Sequence, residues 1–376
     1  MVYLDYNATA PLRAEAKDAM AAAMALCGNA SSIHAAGRDA RALIDRTREH
    51  VAALAGARSA EVIFTSGGSE ANTLALFGAV QGAADGGARI TRLFVSAIEH
   101  DSVRANAAAL AERFAGLRLE AIPVTGDGVV DLEALRGMLR EGKGRALIAL
   151  MAANNETGVI QPVAEAAALA QEAGALLLVD GVQAADKIAL PKADYVSLSA
   201  HKLGGPQGAG ALILRDGAPF APMILGGGQE RGRRAGTENL LGIVGFGAAC
   251  AACERPDAGL RDRFEDGLKR LAPETVIFGA AAPRLANTSN FAIPGVLAET
   301  ALIALDLDGV MLSSGAACSS GTVKSSHVLG AMGVSEELSR CALRASFGWN
   351  STGADSDAAL ASLFRLLARI RARAAA

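Results

Sequence analysis

The sequence lacks several features that would assign a protein to a class at once. No apolar run is long enough to cross a bilayer. The first residues, M-V-Y-L-D-Y-N, read as a strand and a turn, so we expect no signal or transit peptide. Charge of neither sign dominates: 36 basic and 39 acidic residues give a net charge of −3. This balance argues against a broad nucleic-acid or membrane-binding surface, and a cytoplasmic protein is expected.

Cysteine is also scarce. Five cysteines in 376 residues, unevenly spaced, indicate reduced thiols rather than a disulfide scaffold. Cys250 and Cys253 form a C-x-x-C pair without a second pair or a flanking histidine, so we expect core packing and no metal. Cys318 differs, because it lies in S-S-G-A-A-C-S-S-G, small residues that are typical of a flexible loop. A presented and reactive thiol is expected there.

The pattern of elements predicts an α/β protein of two domains. Short β-type runs alternate with helical segments over the first two thirds of the chain, which indicates a mainly parallel sheet flanked by helices. Pro256 marks a plausible boundary, and the pattern changes from Leu260 onward. We therefore expect a large domain over residues 12–255, and a smaller α+β domain built from residues 1–11 and 256–376.

A glycine turn follows the first strand predicted in the large domain, Glu61 to Thr65. The turn reads S-G-G-S-E, Ser66 to Glu70, and leads into a helical segment. A strand, a glycine turn and a helix N-terminus together can bind phosphate, because free N–H groups and the helix dipole favour an anion. The motif is neither a full dinucleotide fingerprint nor a P-loop, and an ordinary turn is the alternative.

Lys202 stands in S-L-S-A-H-K-L-G-G-P-Q-G-A-G and is predicted to lie on a turn rather than inside a helix. An ordinary surface cation is one reading. The other follows from Ser199 and His201 beside it, and from glycines that let the backbone approach a ligand. A lysine held among such groups can lose its proton and form a Schiff base with an aldehyde.

Polar residues follow two further predicted strands. His100 comes after the strand Arg92 to Ser96, and Asp180 after the strand Ala175 to Val179. Sheets of this class bind ligands at the carboxyl ends of their strands. A solvated loop is the alternative for the histidine. A buried carboxylate needs a partner, and a protonated ring nitrogen would suit it.

Three other features have two readings each. Arg344, in a predicted strand from Ala342 to Gly348, is either a surface charge or a fork for a substrate carboxylate. The glycine-rich segment from Leu225 to Asn239 carries three arginines and is either solvated or a loop rimming an anionic site. His34 lies near the start of a helix that we expect Ser31 or Ser32 to cap, and a structural role is favoured over a catalytic one.

An aldehyde-reactive lysine, an aspartate at a sheet edge, a phosphate-ready helix start and a stacking histidine together describe a site for pyridoxal phosphate. The chain resembles the cysteine desulfurases, fold-type I pyridoxal-phosphate enzymes grouped with the class V aminotransferases. The resemblance runs nearly end to end, through Y-L-D-Y-N-A-T-A-P, T-S-G-G-S-E-A-N, E-H-D-S-V, N-N-E-T-G, V-D-G-V-Q, S-x-S-x-H-K, G-G-G-Q-E-R-G-x-R-x-G-T-E-N, S-S-G-A-A-C-S-S-G and R-A-S-F-G-W-N.

The resemblance implies a seven-stranded sheet, a homodimer and a role for each site residue. Lys202 would bind the cofactor aldehyde as a Schiff base. Asp180 would pair with the pyridine N–H, Gln183 would bond the ring hydroxyl oxygen, and His100 would stack on the ring and help move protons. The residues implied to hold the phosphate are Gly68, Ser69, Ser199 and His201, joined by Thr237 of the second subunit.

The implied reaction removes sulfur from L-cysteine. Asn154 and Arg344 would bind the substrate carboxylate, and the Cys318 thiolate would take the sulfur as a persulfide while L-alanine leaves. The sulfur would then pass to an acceptor such as an iron–sulfur scaffold or a thiolation protein. An ordinary thiol with a pKa near about 8.5 is only a few per cent ionised at pH 7, so some activation of Cys318 is expected.

Departures and alternatives remain. Relatives often carry other residues where this chain has Gly68-Ser69, Gly181-Val182 and Ala316-Ala317, and the short C-terminus leaves partner docking open. A selenocysteine lyase or an aminotransferase of the same fold would use much of the same site. A non-catalytic sulfur-assembly scaffold is a third alternative, and it would not need Lys202.

Overall fold

The computed structural model describes residues 1–314 and 326–374, and the main element within them is a sheet of seven strands. The strands are β2 (Val62–Thr65), β3 (Ile90–Ser96), β4 (Arg118–Ile122), β5 (Arg145–Ala149), β6 (Leu176–Asp180), β7 (Tyr195–Ser199) and β8 (Gly210–Leu214). Their order across the sheet is β2-β8-β7-β6-β5-β3-β4. Strand β8 is antiparallel to both neighbours and the other pairs are parallel. The predicted seven-stranded, mainly parallel sheet is confirmed.

The sheet is covered on both faces, which explains its apolar strands. In β6, Leu177 and Val179 point into one hydrophobic cluster, while Leu176 and Leu178 point into another. Alternate residues of a strand face opposite sides, so both sets must be apolar when both faces are buried.

Helices form the two covering layers, as the alternating pattern predicts. One layer contains α3 (Gly68–Asp85) and α4 (Asp101–Arg113). The other contains α1 (Ala14–Met24), α2 (Ala35–Ala55), α5 (Leu132–Arg140), α6 (Val163–Glu172) and α7 (Leu240–Ala251). Short 3-10 turns add Ser59–Glu61, Ala200–Lys202 and Gln229–Gly232.

The N-cap predicted for α2 is wrong. The cap is His34, whose Nδ1 accepts a hydrogen bond of 3.2 Å from the backbone N–H of Gly37. Ser31 and Ser32 lie in the turn before it. An imidazole nitrogen can replace the usual hydroxyl because the cap requires only an acceptor within reach of the first free N–H groups.

The C-terminal third packs around a separate core. Two short strands, β1 (Val2–Tyr3) and β11 (Val310–Met311), pair in parallel. Three antiparallel strands form a second small sheet in the order β12 (Ala342–Ser346), β10 (Thr288–Ala292) and β9 (Val276–Ile277). The helices are α8 (Gly259–Leu271), α9 (Ala298–Leu307), α10 (His327–Ala331), α11 (Glu336–Ser339) and α12 (Gly353–Ala374). Phe264 contacts Phe291 and Phe347 edge-on, with ring centroids 5.6 and 5.8 Å apart.

Within the described ranges, no helix combines the length and apolarity that a membrane span requires.

The C-x-x-C pair lies at the end of α7. Cys250 is buried and Cys253 half-buried, with Cys253 Sγ 3.2 Å from the carbonyl oxygen of Ala249. Burial raises the pKa of Cys253 to about 12, so the thiol stays protonated. Among the described residues, no group of three or more histidine, cysteine, aspartate or glutamate side chains is arranged to hold a metal ion, either at the C-x-x-C pair or elsewhere.

Candidate active site

A cavity of about 630 Å³ lies at the carboxyl ends of the central parallel strands, where sheets of this class bind ligands. Asp180 ends β6, Ser199 ends β7 and His100 follows β3, and all three line it. The cavity also brings together other residues singled out from the sequence, namely Gly68, Ser69, Gln183, His201, Lys202 and Arg344.

Lys202 occupies the last position of the short 3-10 turn after β7, where the sequence predicts a turn. Its Nζ donates hydrogen bonds to the carbonyl oxygens of Asn7 (2.6 Å) and Ala8 (2.9 Å). Burial lowers the pKa of Lys202 to about 8, with further lowering from the cations Arg344 and Lys187. The cavity therefore contains an amine that loses its proton readily, as Schiff-base chemistry requires.

His201 stands beside this lysine and bonds to the N-terminal segment. Its Nδ1 lies 3.1 Å from Thr9 Oγ1. Burial, and secondarily the charge of Lys202, lowers the pKa of His201 to about 4. The imidazole is therefore neutral at physiological pH and serves as a hydrogen-bonding group rather than a cation.

Asp180 is buried and oriented from two sides. Its Oδ2 accepts a hydrogen bond of 2.9 Å from Asn72 Nδ2, and its Oδ1 accepts one of 2.9 Å from the backbone N–H of Val182. Asn72 in turn donates to Ser102 Oγ over 3.0 Å. Sequence reasoning missed Asn72. The available signal was an amide in an otherwise apolar helical stretch one turn after the glycine motif.

The side-chain amide of Gln183 has a hydrogen-bond partner for its nitrogen but, among the described residues, none for its oxygen. Its Nε2 donates to the carbonyl oxygen of Asn7 over 2.9 Å. Its Oε1 is buried and finds no partner among the described residues. A buried acceptor without a donor is costly, so this oxygen is suited to a hydroxyl or N–H supplied by a ligand.

The N-terminus of α3 forms another wall of the cavity. Gly68 and Ser69 begin this helix, whose first N–H groups have no partner within it. A Cβ on Gly68 would lie 2.6 Å from Val182 Cγ2, so no side chain fits there. The start of α3 therefore presents backbone to the cavity at Gly68 and Ser69, an arrangement that suits an anion.

His100 is exposed to the cavity and caps α4. Its Nδ1 accepts from the backbone N–H of Ser102 at 3.1 Å and lies 2.9 Å from Ser102 Oγ. Glu99, which sequence reasoning missed, is fully buried behind it and bonds to the backbone N–H of Met151. Burial, with the nearby charge of Asp180, raises the pKa of Glu99 well above its usual range. Its side chain therefore ties the segment before His100 to the segment after β5.

Asn154, which the sequence predicts to bind the substrate carboxylate, does not line the cavity. Its side chain is fully buried below the cavity, where Oδ1 accepts from the backbone N–H groups of Glu156 (2.9 Å) and Thr157 (3.0 Å) and Nδ2 donates to the Ile98 carbonyl oxygen. Asn154 is committed to turn geometry. The neighbouring Asn155 lines the cavity.

Arg344 lines the cavity opposite the sheet. Its Nη2 is 2.6 Å from Asp5 Oδ1, and its Nη1 donates to the carbonyl oxygen of Asn155 over 2.9 Å. Its Nε is buried and has no partner within residues 1–314 and 326–374. The guanidinium is thus held by a carboxylate that an incoming substrate carboxylate could replace.

Of the remaining predicted residues, one lies outside the described part of the chain and one lies away from the cavity of its own chain. Cys318 lies outside the described residues. Thr237 is exposed on the glycine-rich segment and does not line the cavity of its own chain. Its predicted role involves a second subunit.

Comparison with known proteins identifies the family. The class V aminotransferase profile matches residues 2–358. A cysteine desulfurase of Cereibacter sphaeroides is 43% identical over 99% of this chain and 97% of its own length. The chain belongs to the cysteine desulfurases. Another of these, the IscS-like cysteine desulfurase of Mycobacterium tuberculosis, is 39% identical over 100% of this chain and 98% of its own.

The solved structures agree with this cysteine desulfurase assignment. The NifS-like protein of Rickettsia africae superposes with a TM-score of 0.86 at 33% identity, over 98% of this chain and 99% of that one. Enzymes of this family depend on pyridoxal phosphate. The cavity fits that cofactor, because it combines a readily deprotonated lysine, a buried carboxylate, an unpaired amide oxygen and a helix N-terminus.

Proposed function

We propose that this protein removes the sulfur of L-cysteine, releasing L-alanine and leaving a persulfide on Cys318. The main support is the environment of Lys202, whose buried amine has a pKa near 8 in a cavity shared with Asp180, Gln183 and Arg344. Relatives named cysteine desulfurase, at 38 to 43% identity over nearly the whole chain, support the same reaction.

Each cavity residue would have one task toward pyridoxal phosphate. Lys202 would bind its aldehyde carbon. Asp180 would hold the ring nitrogen protonated, and Gln183 Oε1 would accept a hydrogen bond from the ring hydroxyl. When bound, the cofactor supplies an electron-withdrawing ring that weakens bonds to the substrate Cα. The phosphate would be held by Gly68, Ser69, Ser199 and His201, together with Thr237 of the partner subunit.

The remaining steps belong to side chains of this protein. Arg344 would bind the substrate carboxylate in place of Asp5, and the lining residue Asn155 takes over the contact expected of Asn154. His100 would move a proton at the substrate Cα. The Cys318 thiolate would attack the substrate Sγ, so that the Cβ–Sγ bond breaks, a sulfur–sulfur bond forms and protonation of Cβ completes alanine.

The oligomeric state, the sulfur acceptor and the cellular location are also proposals. A homodimer would allow Thr237 to reach the neighbouring cavity. The persulfide sulfur would pass to an acceptor such as an iron–sulfur scaffold, a role suggested by relatives with IscS in their names. A cytoplasmic location would suit reduced thiols.

The test is incubation of the purified protein with L-cysteine, measuring alanine and protein-bound persulfide. We expect equal amounts of both in a single turnover by wild type, and loss of both with Cys318→Ser while the cofactor colour remains. Full alanine production by Cys318→Ser would favour a lyase or aminotransferase instead. Faster turnover of selenocysteine, with no need for Cys318, would favour the selenocysteine lyase.

A further inference from the structure

The glycine-rich segment from Leu225 to Asn239, called here the arginine loop, adopts a strained backbone. Glu230 and Arg231 have φ values of 46° and 59°, within the 3-10 turn Gln229–Gly232. They are the only non-glycine residues in the described part of the chain with positive φ. Side chains with a Cβ adopt this conformation when surrounding contacts impose it, often beside functional sites.

Arg48 provides that constraint. Its Nη1 and Nη2 bind Glu230 Oε2 and Oε1 at 2.7 and 2.8 Å, and both side chains are buried. The backbone N–H of Phe64 donates to the same carboxylate over 3.0 Å, and the guanidinium lies 4.6 Å from the Phe64 ring centroid. Phe64 belongs to β2, the strand that runs into the glycine turn. The arginine loop is therefore fixed to the strand that leads to the proposed phosphate site.

A second ion pair reaches the phosphate turn itself. Arg234 Nε lies 2.8 Å from Glu70 Oε1, and Arg234 Nη2 lies 3.3 Å from Glu70 Oε2. Glu70 directly follows Ser69, and its Oε2 also accepts a hydrogen bond of 2.9 Å from the backbone N–H of Ser66. The carboxylate thus folds back over the turn that begins α3, in the manner of a helix-capping glutamate.

This arrangement puts the negatively charged Glu70 carboxylate beside the site proposed for a phosphate group, which is also negatively charged. Burial raises the pKa of Glu70, but its bonds to Arg234 and Ser66 outweigh burial, so the net shift is downward and the group is ionised at neutral pH. An ionised carboxylate without a cation would repel a phosphate dianion at Gly68 and Ser69.

We propose that Arg234 neutralises Glu70 so that a phosphate group can bind at the start of α3, and that the Arg48–Glu230 pair holds the arginine loop where Arg234 can do so. The proposal rests on the proposed function, because it takes pyridoxal phosphate as the ligand. Arg234 acts through Glu70 and is a positioning residue. The Arg234–Glu70 ion pair explains why the Glu70 carboxylate can fold over the turn and still be compatible with phosphate binding there.

The experiment compares two ligands that differ only in the phosphate group. Protein freed of cofactor is titrated with pyridoxal phosphate and with pyridoxal, followed by visible absorbance. We expect Arg234→Gln to weaken pyridoxal phosphate binding by about tenfold, the effect of one uncompensated nearby charge, and to leave pyridoxal binding nearly unchanged. Added salt should reduce the difference.

Charge rescue provides the matched control. Adding Glu70→Gln to Arg234→Gln should restore most of the lost affinity, because the repelling charge is gone, and Arg234→Lys should retain most of it. Glu230→Gln should also weaken pyridoxal phosphate selectively, and combining it with Arg234→Gln should add little, since both act through one route.

Two results would overturn the proposal: equal weakening of both ligands by Arg234→Gln, or no recovery in the double variant. Each would indicate that the ion pair supports the fold alone. Failure of the proposed function is distinct. Wild type that binds pyridoxal phosphate without producing alanine from L-cysteine would refute the reaction and leave the charge-compensation test intact. Wild type that binds neither ligand would refute both.

Discussion

At Lys202, burial and neighbouring cations determine which form of the side chain the cavity contains. With a pKa of about 8, roughly a tenth of the amines are neutral at pH 7, whereas an ordinary lysine is neutral less than about once in a thousand. The two carbonyl oxygens of Asn7 and Ala8 orient the amine without supplying a counter-charge. The pKa of this amine is thus lowered mainly by desolvation rather than by a neighbouring base.

This environment predicts a specific pH dependence. The rate at which cofactor-free protein takes up pyridoxal phosphate should rise with pH and level off above about 8, because only the neutral amine attacks an aldehyde. Arg344→Gln should move the midpoint upward, since it removes a cation that lowers the pKa of Lys202 and frees Asp5. Stopped-flow absorbance across pH measures both. A wild-type midpoint near the value of a free lysine, or no shift in the variant, would contradict the explanation.

At the scale of single elements, α2 illustrates a cap that residue preference alone misassigns. Nδ1 of His34 accepts from the N–H of Gly37, at the entrance of a 21-residue helix that packs against α7. Ser and Thr are stronger N-cap candidates by preference, yet the turn places the histidine at the cap position.

His34→Ala should therefore lower the free energy of unfolding by about 1 kcal/mol, the usual cost of losing a cap, without changing turnover. His34→Asn should retain most of the stability, because an amide oxygen can accept the same bond. Denaturant titration of these variants, with Ser32→Ala as the comparison, measures the effect. A larger loss in Ser32→Ala than in His34→Ala would show that the serine supports the helix start.

At the scale of the whole molecule, the N-terminal segment connects the two cores through the cavity. Residues Val2–Tyr3 pair with β11, and Asn7 then bonds to both sides. Its Nδ2 donates to Thr288 Oγ1 (2.9 Å) and to the carbonyl oxygen of Asn155 (3.2 Å), and its backbone oxygen accepts from Lys202 and Gln183. We propose that residues 1–11 belong with 256–376 as one domain and that 12–255 form the other.

Asn7→Ala should be costly because it leaves buried partners unsatisfied. Asn287 Nδ2, which donates to Asn7 Oδ1 over 3.2 Å, would lose a partner, as would Thr288. We expect about 2 kcal/mol of destabilisation and faster loss of bound cofactor. Thermal unfolding and cofactor release rates measure these effects, with the exposed Asn350→Ala as control. Equal melting temperatures for the two variants would argue against a bridging role.

Much of the site could be predicted because its residues lie in short motifs at strand ends. Asp180 and Ser199 end apolar strands and Lys202 follows one of them, and parallel strands bring their carboxyl ends to one edge. Asn154, which the structure buries outside the cavity lining, belongs to such a motif. The sequence gives no reason to distinguish Asn154 from Asn155. Only the conformation of the turn decides which of them lines the cavity and which one bonds to the backbone.

Other parts depended on contacts between residues distant in the chain. Asn72 reaches Asp180 from α3, and Glu230 reaches Arg48 across 182 positions. Neither pairing has a local signal, because helix packing and loop closure set those distances rather than spacing along the chain.

The sequence by itself determined the class of fold and the kind of cofactor, and it pointed to Lys202 as the candidate lysine, because these follow from local periodicity and from motifs in a fixed order. The tertiary structure alone decided the proton affinity of Lys202, the choice between Asn154 and Asn155, and the ion pair between Arg234 and Glu70. Those properties depend on burial and on charges a few ångströms away, and folding sets both by bringing together segments that are far apart in the chain.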